Sequence, residues 1–181
     1  MKYLYKIFYS FILFIWITGC DSTGPGLGYN PDLVTINENI AGFSFEYGRA
    51  ISLPNSENII PDIIILAHIN DQGDLLGVFF AADSLRPSFN LVNYFSDSDS
   101  AKEYFYSLPE APDSGYQDLA LPVKANQVWT IRTHDNKYGK ILIVNTYAAQ
   151  DTITPNYHIE ATFRWRYQPD GSRFFKLQNY Q

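Results

Sequence analysis

Apolar and polar residues alternate most regularly in "YHIEATFRWRYQ", residues 157–168. Tyr157, Ile159, Ala161, Phe163, Trp165 and Tyr167 fall on one side, and His158, Glu160, Thr162, Arg164 and Arg166 on the other. A period of two places successive side chains on opposite faces of a strand. The segment therefore predicts a strand with one apolar face in the core and Glu160, Arg164 and Arg166 turned to solvent. "IAGFSFEYG" (40–48) alternates in the same way, with Phe43, Phe45 and Tyr47 against Ser44 and Glu46. "PDIIILAHIN" (61–70) is instead a continuous apolar run, the pattern of a central strand covered on both faces. "DQGD" then predicts a turn, and "LLGVFFAA" (75–82) the returning hairpin partner, with Gly77 marking a bulge or a close approach.

"VWTIRTHDNKYGKILIVNTYAA" (128–149) reads as two strands, 128–133 and 138–148, around the polar turn "HDNK". "PDGS" turns the chain from residue 168 into a last predicted strand, "RFFKL" (173–177). The best helical stretch is "SDSDSAKEYFYSLPEAP" (96–112), where Ser100 and Glu103 form an S-x-x-E capping box and Pro109 ends the segment. Asp97 and Asp99 resemble the start of a calcium loop, but Lys102 occupies the position that needs glycine, and acids at a helix N-terminus have a dipole explanation. The predicted fold is mostly β, built of antiparallel sheets and hairpins with one short helix.

The N-terminus departs from this pattern. Lys2 and Lys6 precede an apolar run, "IFYSFILFIWI" (7–17), too short to span a bilayer and suited to a secretory signal. "ITGC" (17–20) follows and is similar to the bacterial lipobox, in which the cysteine is lipidated and becomes the new N-terminus. Residues 1–19 are then a signal peptide, Cys20 the lipid-attachment site, 20–38 a tether and 39–181 one β-rich domain. The expected location is the bacterial cell envelope, with the membrane as a partner through the N-terminal lipid. Cys20 is the only cysteine, so the domain has no internal disulfide. "GPGLG" (24–28) superficially resembles a phosphate loop, but it lacks a lysine and follows the anchor rather than a strand.

Thirteen basic and 19 acidic residues give a formal charge of −6, which argues against nucleic acid as a partner. No G-x-S-x-G, H-E-x-x-H, C-x-x-C or P-loop occurs, so no motif points to an enzyme. The chain has three histidines, and its sole methionine is Met1. His68 lies in an apolar strand, His134 at a hairpin tip, and His158 on the polar face that also carries Arg164 and Arg166. Each has an ordinary structural explanation.

Two stretches carry a family resemblance. Trp129, Ile131, Arg132, Thr133, Asp135, Lys137, Tyr138 and Lys140, followed by Phe163, Trp165, Tyr167 and Gln168, resemble the hairpin and following strand of the HmuY-like haem-binding lipoproteins. "GFSFEYGRAI" and "PDIIILAHI" are similar to that family's N-terminal strands. Asn136 stands where the family has glycine, and Gly139 where alanine is common. The resemblance implies a non-enzymatic protein that grips haem and passes it to an outer-membrane haem receptor. It transfers no axial ligand, which leaves His158, His134, His68 or a tyrosine as haem-ligand candidates, His158 first because of its arginine neighbours. The alternative is a surface lipoprotein with a structural or protein-binding role and no haem. Histidines and tyrosines gathered around one apolar cleft would favour the first, and scattered histidines the second.

Overall fold

The computed structural model describes residues 32–151, 154 and 156–176. Along them run ten strands and one helix: β1 (Leu33–Asn37), β2 (Gly42–Ser44), β3 (Arg49–Ile51), β4 (Ile63–Ile69), β5 (Leu75–Ala81), β6 (Phe89–Tyr94), α1 (Ser98–Ser107), β7 (Leu119–Ala120), β8 (Gln127–Arg132), β9 (Tyr138–Gln150) and β10 (Tyr157–Gln168). The strands form two five-stranded antiparallel sheets. The first has the order β1-β10-β9-β8-β6 and the second β3-β2-β4-β5-β7. The mostly-β expectation with one short helix holds.

The core lies between the sheets. Phe163 of β10 meets Phe43 of β2 edge-on at 5.3 Å between ring centroids and Phe80 of β5 at 6.0 Å. Ile159, Ala161 and Phe163 are buried there, with Tyr157, Trp165 and Tyr167 packed at its margin, as the alternation of β10 predicts. The β8–β9 hairpin also matches its pattern. Asn136 at its tip adopts φ 59°, a left-handed conformation that asparagine tolerates better than most residues. At Gly139 a Cβ would collide with the Phe45 ring, so the missing side chain is what lets that ring pack against β9.

Several expectations need correction. The tether does not extend to residue 38, because Leu33–Asn37 pairs with β10 along Leu33↔Arg164 to Asn37↔Glu160 and buries Ile36. Turn-rich neighbours on both sides hide so short a strand. The 40–48 strand stops at Ser44, since the next N–H, that of Phe45, bonds the Asp62 carboxylate at 2.9 Å instead of a neighbouring strand. The helix cap is Asp97, whose side chain accepts from Asp99 N and Ser100 N at 3.1 and 2.8 Å, and not Ser100. An earlier acid serves both orphan amides and the helix dipole. "RFFKL" is no strand over its described residues. It makes one bridge, Glu110↔Phe174, against a partner stretch that carries Pro109 and Pro112 and cannot extend a ladder. Gly77 does sit at a bulge, opposite His68 where the register shifts, and nothing approaches it closely.

Candidate functional site

The two outer faces of the sandwich differ in what covers them. On the first sheet, α1 lays Ala101 and Phe105 over Val128 of β8 and Leu142 of β9, making a second apolar cluster. Beside it stand charges that the alternation of β10 assigned to solvent. Asp32, only 5% exposed, takes Arg164 Nη1 at 2.8 Å and Arg166 Nη1 at 2.9 Å, and accepts a hydrogen bond from the Tyr106 hydroxyl at 2.9 Å. Its carbonyl accepts from Trp165 N at 2.9 Å, so the residue just before β1 is clamped to β10 and α1 together. Lys140 of β9 is 2% exposed, its Nζ donating to the Leu108 carbonyl at 2.9 Å with the Phe105 and Phe175 rings at 5.2 and 4.8 Å. Burial, helped by nearby Arg166, brings its pKa down to about 8. The expectation that Arg164 and Arg166 are solvated is therefore wrong: they are half-buried and paired.

The second sheet shows the reverse. Ile63, Ile65 and Ala67 of β4 and Val78 and Phe80 of β5 face the core, which turns Ile64, Leu66, His68, Phe79 and Ala81 outward. Ile59 and Ile51 are buried, but Leu66 remains 41% exposed, and Ile64, Phe79 and His68 are half-buried. At the turn end Ile69 and Leu76 are 46% and 58% exposed. β4 is central in its sheet, as expected, but only one of its faces is fully covered. The single helix among the described residues lies on the other sheet; on this one Ile51 of β3 and Ala81 of β5 are buried, while Leu66 of β4 is left open.

The structure brings no two of the candidate histidines together. His68 faces outward on the second sheet, its ring 6.4 Å from Phe79. His158 lies on the outer face of the first sheet, so the whole core separates the two. His134 sits at the β8–β9 tip, with Nδ1 3.4 Å from Oδ1 of Asp62, at the opposite end of β4 from His68 and about 20 Å from it by strand rise. His158 lies ten residues up β10 from Gln168, the partner of Tyr138 beside that tip, and so about 30 Å away.

Two of the three imidazoles already engage carboxylates. Asp62 is 2% exposed, and burial pushes its carboxyl above the usual range against the pull of the Phe45 N–H and His134. His158 Nδ1 lies 3.0 Å from Oε1 of Glu38, whose other oxygen accepts from Ile159 N. Burial works to raise the Glu38 carboxyl, yet the bonds from His158 and the backbone outweigh it and hold the carboxyl below its ordinary value. Around His158 is an open hollow of about 370 Å³ lined by Asn37, Glu38, Tyr147, Ile159 and Glu160. Two carboxylates in that lining disfavour an anionic porphyrin. The arginines that recommended His158 point instead to Asp32.

Sequence reasoning missed Asp32, Tyr106, Lys140 and the open face of the second sheet. Only Lys140 left a local signal, a lone cation in the apolar strand "YGKILIV". Cys20 and the lipobox lie outside the described residues. Among the described residues no helix is long and apolar enough to cross a membrane, and no group of three or more His, Cys, Asp or Glu could hold a metal ion. No protein-family model matches the chain, and no curated protein matches it.

Proposed function

We propose that this chain is a non-enzymatic, lipid-anchored binding module of the bacterial cell envelope that engages a protein partner through the outer face of its second sheet. The observation that carries the reading is the face itself: Leu66, 41% exposed, sits with half-buried Phe79 and Ile64 on neighbouring strands with no helix over them. Such faces on folded domains mark interaction sites. The scattered histidines point the same way, since no apolar cleft gathers them.

A haem-binding reading has one observation in its favour. With Nδ1 of His134 turned to buried Asp62, its Nε2 faces away from the carboxylate, the arrangement by which a carboxylate orients a metal-ligating imidazole. Titration with ferric haem separates the two readings. The protein-binding reading expects no stoichiometric, sharp Soret band. A sharp one-to-one band that His134→Ala abolishes would replace it with the haem reading, and with transfer to an outer-membrane haem receptor. The anchor is tested separately, by whether a Cys20→Ser precursor loses processing and membrane retention.

A further inference from the structure

We propose that the occupant of the second sheet's outer face is a second copy of this chain, stacked sheet against sheet about a twofold axis. This rests on reading that face as the binding surface, and it names the partner. The first ground is charge. The strands "IIILAHI" and "LLGVFFA" of β4 and β5 contain no Lys, Arg, Asp or Glu, in a chain with a formal charge of −6. Two copies repel wherever their acidic surfaces meet, and along these strands they meet without opposing like charges.

The second ground is shape. Leu66 pairs with Phe79 and Ile64 with Ala81 across β4 and β5; Ala81 is itself 6% exposed, so the open apolar side chains are Leu66 and the half-buried Phe79 and Ile64 on two adjacent strands. An apolar pleated face packs on another such face at about 10 Å, and in a twofold contact each patch serves as its own complement. No matching polar groups are required of the partner. The third ground is placement. Asp32, where the chain joins the sandwich, is clamped on the outer face of the first sheet, leaving the second sheet's outer face on the opposite side.

The test uses the full-length chain in the membranes of cells that express it. Leu66→Cys and Phe79→Cys variants are treated with a flexible bis-maleimide and compared with Leu91→Cys, a residue of similar exposure on β6 of the other sheet. The native chain, whose one cysteine is Cys20, sets the background. Crosslinked dimer is expected from the Leu66→Cys and Phe79→Cys variants, none above background from Leu91→Cys, and loss of the Leu66→Cys band when Phe79→Lys is added. That substitution would place an unpaired ammonium in the contact from each copy. No dimer from Leu66→Cys or Phe79→Cys, or equal dimer from Leu91→Cys, overturns self-association. The binding-face reading falls on a different result, a sharp Soret band dependent on His134.

Discussion

The two sheets of this domain contradict the rule by which each was read. β10 alternates, which implies one solvated face, yet over its C-terminal half both faces are covered, one by the core and the other by α1 and the Asp32 cluster. β4 is continuously apolar, which implies two covered faces, yet Leu66 on its outer side is left 41% exposed. Hydropathy patterns report what a strand can tolerate. Coverage depends on where the few remaining elements go, and α1 goes to the charged face. It can do so because its partners neutralise one another: Asp32 sits between two arginines and a tyrosine hydroxyl, and Lys140 lies between two aromatic rings. Along β4 and β5, which carry no charged residue, the outer face has no helix over it among the described residues.

The largest expected effect lies in the shared core. Phe163→Ala removes a fully buried ring packed on Phe43 and Phe80, and should cost about 3–5 kcal/mol in chemical denaturation. Trp165→Ala should cost less, since Trp165 is only half-buried. On the covered outer face, Asp32→Asn leaves two arginines facing each other and should cost about 2–3 kcal/mol, while Arg164→Ala should cost about 1–2 kcal/mol. If Arg164→Ala instead falls within about 0.5 kcal/mol of the native protein, that face is solvated and the contrast between the sheets collapses.

Lys140 sharpens the comparison through pH. Its folded pKa of about 8 lies below its ordinary 10.5, so between those values the unfolded chain binds more protons. Stability must then rise with pH from about 8, by on the order of 2 kcal/mol before the tyrosines titrate. Lys140→Met should abolish that rise and be no less stable than the native protein at pH 7, because it removes a buried charge at the cost of one hydrogen bond. Denaturation series at pH 7.5 and 9.5 for both proteins decide it.

A smaller effect belongs to Asp62. His134→Ala withdraws one of the groups opposing burial and should push the Asp62 carboxyl still higher, as read by carboxyl NMR. Since a raised carboxyl makes the folded state hold its proton longer, the variant should lose slightly more stability than the native protein as pH rises above 3.8. An unmoved Asp62 titration would mean that the 3.4 Å contact has no electrostatic weight. The smallest effect is expected on the open face, where Leu66→Ala should change monomer stability by less than about 0.5 kcal/mol.

What the sequence made legible is what local pattern encodes: the β8–β9 hairpin, the β4–β5 hairpin with its bulge at Gly77, the helix, and the inward face of β10. What stayed hidden depends on pairs far apart in the chain. Asp32 meets Arg164 across 132 residues, and Asp62 meets His134 across 72. Neither pair leaves a local trace, and Asp32 was hidden within an apparent tether. For the same reason the spacing of His158, Arg164 and Arg166 on one strand face resembled a ligand site, although the arginines turn to an acid that the sequence places elsewhere.

The difference between the faces can be read directly by carbene footprinting of the full-length chain at low concentration. Label should enter Leu66 and Phe79 of the second sheet readily, and leave Phe105, Val128 and Leu142 beneath α1 unmodified. Equal labelling of the two sets, or labelling confined to the residues under the helix, would contradict the account.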